Sequence, residues 1–271
     1  MLTRYIALVS EAPKIELAEL VAVAAALQKQ VTRDFGPIWG VQANVSAFAR
    51  LEEVPLDYWP VIIKDNLARP EAAGYHEDDL GEPCSLVRLT DDWSVTASHE
   101  TLEMLADPWG RHLVAGQSPR RPKDRVKFLV EVCDPCSNAS YKVNGIAVSD
   151  FYTPHFFDPV PSRSVRYSFA GNITKPRQVL KGGYLTWYEP ASRKWWHRAW
   201  FNGPRHADAE IPIPDLVKGN IRSAIDHHLA PKRARGKQNG SGGKLRQQRE
   251  EPGKAFLERA SDIRRSILSR S

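Results

Sequence analysis

The sequence lacks three features that would assign it to a class at once. No run approaches the roughly 18–20 consecutive apolar residues of a membrane span. Only three cysteines are present, too few for a disulfide framework; Cys133 and Cys136 form a single C-x-x-C, and we expect free thiols. The N-terminal segment has only a short apolar run and no small-residue cleavage site, so it predicts a first β-strand rather than a signal peptide. We therefore expect no membrane span and a cytoplasmic location.

Net positive charge is concentrated at the end of the chain. Residues 231–271 contain 12 Lys and Arg but only 4 Asp and Glu, and the whole chain carries +6, so the remainder is close to neutral. The polar, Gly-rich segment after Pro231 predicts a disordered linker, and apolar residues at helical spacing over 255–268 predict a short amphipathic helix. A nucleic acid, an anionic surface or an acidic protein partner would fit this tail, and so would a role in solubility alone.

The residues around His99 predict a short and largely buried helix over about residues 95–107. The segment that leads into it carries little charge, and apolar residues follow at helical spacing. Thr96 or Ser98 would cap its start, and Asp107-Pro108 would mark its end.

This helix carries a pattern that is typical of metal binding. Residues four apart share a helix face, so His99, Glu103 and Asp107 line up, with Glu100 about a hundred degrees away. The spacing is that of the H-E-x-x-H zinc helix with Glu103 in place of the second His. A carboxylate oxygen also binds zinc, which makes H-E-x-x-E a harder and more anionic half-site. Burying these groups without a cation or hydrogen-bond partners would be costly.

The same letters allow an interpretation without a metal. Glu100 and Glu103 would then face solvent or pair with arginines, and His99 would be a core histidine whose hydrogen bonds are satisfied. The sequence keeps both interpretations open.

A metal site needs a third protein ligand, and the chain offers several candidates downstream of the helix. Glu131 interrupts the apolar segment 126–134, and a polar residue in such a run needs a reason. We therefore favour Glu131, with Asp107, Asp134 and His155 as the alternatives.

At these residues the chain resembles the zincin superfamily of metallopeptidases, and more closely a bacterial group with a Ser-His-Glu-x-x-Glu-Met/Leu-Leu-x-Asp-Pro segment. The resemblance covers roughly residues 1–185. It implies that His99 binds zinc and that Glu100 is the general base, while Glu103 occupies the position of the second His. In the Glu-type zincins the third ligand is a downstream glutamate, and Glu131 is similar in kind.

The resemblance also implies where substrate binds. In zincins the strand before the active helix holds the substrate by strand addition, and Ser85, Leu86 and Val87 lie in the corresponding segment. In metzincin-type zincins a tight turn lies beneath the metal, and a similar turn here would bring Tyr152 or His155 near the developing oxyanion. The alternative is an aromatic-rich turn that packs the lower lobe.

Periodicity along the chain predicts a mixed α/β (α+β) fold. The elements expected are a strand at the N-terminus, a backing helix over Glu16–Phe35, strands over 41–48, 58–64 and 85–89, and a hairpin at Asn144-Gly145. The piece from 166 to 201 is rich in tryptophan and basic residues, with a hairpin turn at 189–193; it would stack nucleobases or pack as ordinary cross-strand pairs. The domains expected are a zincin-like lobe with a mixed sheet over 1–120, a β-rich lobe over 121–230, and the basic tail 231–271.

Two functions from different classes follow. In the first, the chain is a zinc-dependent metallopeptidase that cleaves a peptide or protein, with Glu100 taking a proton from metal-activated water. In the second, it is a catalytically inactive zincin-like binding or assembly protein of the kind associated with phages or mobile elements. Its basic tail would then contact nucleic acid or a partner.

Overall fold

The structure, a computed structural model, describes residues 2–69, 72–79, 82–121, 123–213 and 221–237. Strands and helices both contribute to the fold, which confirms the mixed α/β class. The helices within these ranges are α1 (Leu17–Lys29), α2 (Gly36–Trp39), α3 (Trp93–Ala106) and α4 (Ile221–Lys237). The strands are β1 (Thr3–Ser10), β2 (Gln42–Phe48), β3 (Tyr58–Lys64), β4 (Gly74–Asp79), β5 (Glu82–Arg88), β6 (Leu113–Gln117), β7 (Arg125–Leu129), β8 (Ser140–Val143), β9 (Ile146–Ser149), β10 (Tyr184–Glu189), β11 (Lys194–Ala199) and β12 (Ala207–Ile211).

The first sheet is mixed and has the order β2-β1-β3-β5-β4. Its first four strands are parallel, and β4 runs antiparallel to β5 at one edge. The central strands are apolar almost throughout, as in Ile6–Val9, because parallel strands are covered on both faces. Helix α1 covers one face with Leu20, Val23 and Leu27, and a π-helical turn extends it over Gln30–Phe35, so the predicted backing helix is confirmed.

The substrate strand predicted at Ser85, Leu86 and Val87 requires a correction. These residues lie in β5, which pairs with β3 on one side and with β4 on the other. Because both backbone edges of β5 are already paired, no further strand can add to it. The edge of this sheet next to α3 is β4.

The second sheet is antiparallel and has the order β12-β11-β10-β7-β6. A separate hairpin joins β8 to β9 through Asn144 and Gly145, which both have positive φ, as the predicted Asn-Gly turn requires. The predicted hairpin of β10 and β11 is also present. Trp187 and Trp195 are buried in it, and Arg198 pairs with Asp208, so this sheet shows packing and ion pairs that account for its aromatic and basic residues.

One hydrophobic cluster joins the two sheets, since it contains residues of α1, β1, β3, α3, β7 and β10. Helix α4 packs on the second sheet through Ile225 and Leu229, which contact a smaller cluster containing Tyr184 and Trp195. No helix within the described ranges has the length and hydrophobicity needed to traverse a lipid bilayer.

Helix α4 corrects the predicted start of the linker. It extends through residues 231–237, which sequence reasoning assigned to a disordered segment. Lys, Arg and Ala dominate this stretch and are good helix formers, so a polar composition does not exclude a helix. The predicted helix over 255–268 and the rest of the tail lie outside the described residues.

Strand β4 approaches helix α3 closely at Gly74. A Cβ atom at this position would lie 2.7 Å from Thr96 Cγ2 and 3.1 Å from Glu100 Cγ. We therefore expect Gly74→Ala to lower the free energy of unfolding by about 1–3 kcal/mol, because β4 must move away from α3. Urea denaturation checks this. Thr96→Ser removes the clashing methyl group, so Gly74→Ala should cost less stability in the Thr96→Ser background than in wild type. Equal losses in both backgrounds would contradict the packing argument.

Candidate metal centre

Helix α3 presents the predicted motif but begins earlier than expected. It spans Trp93–Ala106 with Asp92 at its N-cap, so Thr96 and Ser98 lie inside the helix and do not cap it. Its end at Asp107 agrees with the prediction. The helix is largely buried, as predicted, because it packs against the first sheet and against β9.

The motif carboxylates are not solvent-facing. Glu103 is fully buried and Glu100 is 4% exposed. The side chain of His99 is 15% exposed. An unpaired buried carboxylate is strongly disfavoured, so each of these groups requires a cation or a hydrogen-bond donor nearby.

His99, Glu103 and Asp134 converge on one point. His99 Nε2 lies 3.4 Å from Glu103 Oε2 and 3.4 Å from Asp134 Oδ1. The three ligand atoms all lie within 4.8 Å of one another. Two atoms that each bind a tetrahedral zinc ion at about 2.0–2.2 Å are separated by about 3.3–3.6 Å. The chemistry and the spacing of these donors therefore fit a divalent cation.

Asp134 reaches this cluster from a different segment of the chain. It begins the short 3-10 helix Asp134–Cys136, a few residues after β7, and is 1% exposed. The backbone N–H of Cys133 donates a hydrogen bond to Glu103 Oε1 at 3.0 Å, which ties this turn to α3. Asp134 was one of the alternative ligands in the sequence, and it is the one that the structure brings to His99.

Glu131, the favoured third ligand in the sequence, lies outside both clusters of possible metal ligands in the described part of the chain. Its Oε2 accepts a hydrogen bond of 2.6 Å from the hydroxyl of Thr186, and its Oε1 lies 3.2 Å from the hydroxyl of Tyr184. Burial, reinforced by the charges of Asp134 and Asp226, raises the pKa of Glu131 well above its ordinary value. These hydrogen bonds supply the reason for a polar residue in an apolar segment.

The raised pKa of Glu131 predicts a pH-dependent cost that Glu131→Gln removes. Between the ordinary pKa and the folded-state pKa, the folded protein holds a proton that the unfolded chain has released, so wild-type stability falls as the pH rises through this window. Glutamine does not ionise, so the stability of Glu131→Gln lacks this pH dependence. Urea denaturation should therefore show the variant gaining stability relative to wild type as the pH rises above the ordinary pKa of a glutamate, by about 1.4 kcal/mol for each pH unit of this window. A stability difference that is independent of pH would contradict this.

The other predicted residues lie away from the cluster. The carboxylate of Asp107 accepts the N–H groups of Arg111 and His112 at 3.0 and 2.9 Å and so closes the turn after α3. His155 is exposed and pairs with Asp158 at 3.1 Å. Tyr152 is buried in the main core. The aromatic turn therefore packs the core, and the structure does not bring Tyr152 or His155 to the cluster.

Glu100 faces a histidine that sequence reasoning missed. His76, on β4, is fully buried, and its Nδ1 lies 3.6 Å from Glu100 Oε2; neither atom has a hydrogen-bond partner among the described residues. His76 Nε2 lies 3.2 Å from the carbonyl oxygen of Asp107, so this nitrogen carries a proton. His76, Glu100 and Glu103 form a second group that could hold a metal ion. A lone histidine in a short strand gives no spacing signal in the sequence.

The electrostatic surroundings keep Glu100 ionised. Burial alone would raise the pKa of Glu100. The nearby imidazole of His76 and the positive charges of His99 and Arg222 outweigh burial, so the pKa of Glu100 is lowered. An ionised carboxylate is the form that accepts a proton.

Arg222, on α4, also enters the cluster and was missed. It is 2% exposed, contacts Glu103 Oε2, and lies 3.3 Å from Asp134 Oδ2. This contact agrees with the part of the alternative interpretation in which a motif glutamate pairs with an arginine. A single arginine more than 100 residues after His99 gives no spacing signal in the sequence.

The cluster opens into a pocket bordered by β4, α3 and α4. Its lining residues are Arg69, Ala72, Gly74, Tyr75, His99, Glu100, Asp134, Tyr184, Arg222 and Asp226. Two candidate ligands, His99 and Asp134, therefore line one cavity together with Glu100 and residues of the edge strand β4.

The cysteines lie apart from this chemistry. Cys133 and Cys136 are buried free thiols, and burial raises the pKa of both well above the ordinary range. Both are therefore neutral near pH 7, and neither belongs to a cluster of possible ligands in the described residues.

No family model matches the chain, and neither a curated protein nor a solved structure matches it. The geometry therefore defines the class: a mixed α/β protein with an imidazole and two carboxylates arranged as a candidate metal centre. A third carboxylate and an edge strand stand beside it.

Proposed function

We propose that the protein is a zinc-dependent metallopeptidase of the zincin type. His99, Glu103 and Asp134 hold the metal, and Glu100 is the general base. The observation that carries this proposal is the approach of His99 Nε2 to Glu103 Oε2 and to Asp134 Oδ1, each at 3.4 Å.

The donor set favours zinc over a harder ion. Zinc accepts both imidazole nitrogen and carboxylate oxygen as ligands, whereas magnesium and calcium prefer oxygen ligands alone. When bound, the ion would lower the pKa of a coordinated water toward about 7 and polarise a substrate carbonyl.

Glu100 performs the proton transfers. A glutamate carboxylate can accept a proton from water and later donate it to the leaving amine. Its place in the pocket lining gives it access to substrate, and Gly74 beside it leaves room for close approach.

Strand β4 supports a peptide as the substrate. It is the edge strand of the first sheet in the described residues, and Gly74 and Tyr75 line the pocket. An extended peptide can pair with such an edge through its backbone and so present a peptide bond to the cluster. In this proposal β4, and not the predicted residues Ser85, Leu86 and Val87 of β5, binds the substrate by strand addition.

A direct test is cleavage of a peptide library by zinc-loaded protein, read by mass spectrometry, with chelator-treated protein and a His99→Ala variant as controls. The proposal predicts cleavage that chelation abolishes, that added zinc restores, and that His99→Ala lacks. Cleavage that is insensitive to chelation, or no cleavage by a protein that binds zinc stoichiometrically, would contradict it.

The contact of Arg222 with Glu103 favours a second candidate function. An arginine can compensate the buried carboxylates without a metal, as expected of a catalytically inactive zincin-like binding or assembly protein. This candidate predicts a stable protein that does not bind zinc and does not cleave peptides. Its predicted contact with nucleic acid or an acidic partner falls on residues 231–271, most of which lie outside the described residues.

A further inference from the structure

We propose that Arg222 is a built-in competitor for the metal site: its guanidinium occupies the carboxylates that hold the metal, and it must move away before the metal binds. This inference rests on the proposed function and assigns a regulation to the same site. Because Arg222 lies on helix α4, the position of α4 would determine the metal affinity of the protein.

The competition centres on one oxygen atom. Glu103 Oε1 is engaged by the backbone N–H of Cys133 at 3.0 Å, which leaves Oε2 for any cation. That Oε2 lies 3.4 Å from His99 Nε2 and also contacts Arg222. Asp134 differs from Glu103 because its two oxygens have different partners: Oδ1 lies near His99, and Oδ2 lies 3.3 Å from Arg222. Asp134 can therefore serve both partners, whereas Glu103 offers the same atom to the metal and to Arg222.

Electrostatics makes the two cations mutually unfavourable. The guanidinium is charged at every accessible pH, and Arg222 is almost fully buried, so solvent screens it weakly. A divalent ion placed beside it would meet strong repulsion in this low-dielectric site. Without a metal, the same charge stabilises two buried carboxylates that would otherwise repel each other.

Asp226 provides the alternative position for Arg222. It lies one helical turn further along α4, and its Oδ2 is 3.7 Å from Arg222 Nε. Its side chain is 16% exposed and lines the pocket, and its Oδ1 lies 3.0 Å from the hydroxyl of Tyr184. A change of rotamer can therefore release Arg222 from Glu103 while it keeps its ion pair with Asp226 and α4 stays packed through Ile225 and Leu229.

Metal titration of purified full-length variants tests the inference, with zinc affinity measured against a chromophoric chelator. Arg222→Met removes the charge but keeps much of the volume, and we expect it to bind zinc at least about tenfold more tightly than wild type. Arg222→Lys keeps a positive charge near the site, so its zinc affinity should lie closer to that of wild type than the affinity of Arg222→Met does. Asp226→Asn removes the alternative position and should weaken zinc binding. Arg177→Met is the matched control, because Arg177 is also buried but bonds to the carbonyl oxygens of Phe157, Asp158 and Pro159.

Thermal unfolding supplies a second readout and reports on folding. Without zinc, Arg222→Met should unfold at a lower temperature than wild type, because two buried carboxylates lose their compensating cation. Added zinc should raise its unfolding temperature by more than it raises that of wild type.

Equal or weaker zinc binding in Arg222→Met would overturn the inference. If wild type and Arg222→Met bind zinc equally and His99→Ala abolishes binding in both, the metal site stands and only the competition fails. If no variant binds zinc, both this inference and the proposed function fail.

Discussion

Glu103→Gln is expected to remove the metal and to destabilise the protein at the same time. The variant loses the anionic oxygen shared by His99 and Arg222, so zinc affinity should fall by at least about 100-fold. Arg222 then keeps a buried charge with one partner fewer, which should lower the free energy of unfolding by about 3–5 kcal/mol. Elemental analysis after gel filtration measures the loss of metal, and urea denaturation measures the loss of stability.

Glu53→Gln is the matched control for this substitution. Glu53 also pairs with an arginine, Arg50, but the pair is on the surface. Exposed pairs contribute about 0–1 kcal/mol, so this variant should keep both its metal content and its stability. Unchanged zinc binding in Glu103→Gln would show that Glu103 is not a ligand.

Glu100→Gln is expected to separate metal binding from catalysis. Glutamine keeps the shape of the side chain but cannot accept a proton, so the rate of peptide cleavage should fall by about 100- to 10,000-fold. Zinc content should remain that of wild type, because Glu100 is not one of the three converging ligands. Cleavage assays and elemental analysis on the same preparation give both values.

The neighbouring cluster of His76, Glu100 and Glu103 defines the opposing outcome. If the metal resides there, Glu100→Gln and His76→Ala will both lose zinc, whereas Asp134→Ala will retain it. A Glu100→Gln variant that cleaves peptide at the wild-type rate would remove Glu100 from its role as general base.

The sequence predicted the elements that depend on local patterns. The helix that carries His99 follows from apolar spacing, and the hairpin at Asn144 follows from two residues that tolerate positive φ. The backing helix and the β-rich second half follow from the same periodicities. These signals are local because hydrogen bonding and side-chain direction repeat along a single segment.

The candidate third ligand is brought to His99 by contacts between distant segments, and local sequence patterns do not encode such contacts. Glu131 and Asp134 are three residues apart in one apolar stretch, and no local pattern indicates which of them turns toward α3. The structure resolves this through β10, which supplies Tyr184 and Thr186 to Glu131 and leaves Asp134 beside His99.

The order of strands in the first sheet could not be predicted from the sequence for a similar reason. Consecutive strands β4 and β5 form an antiparallel pair, and β5 then inserts beside β3. Each strand alone is compatible with an edge or an interior position. Only their pairing makes β4 the edge and brings His76 to Glu100.

Metal content after Asp134→Ala, compared with that after Glu131→Gln, tests the central claim most directly. The account predicts one zinc ion per wild-type chain, none in Asp134→Ala, and one in Glu131→Gln, measured by elemental analysis of folded protein. Zinc that persists in Asp134→Ala, or that disappears in Glu131→Gln, would contradict the assignment of the site to His99, Glu103 and Asp134.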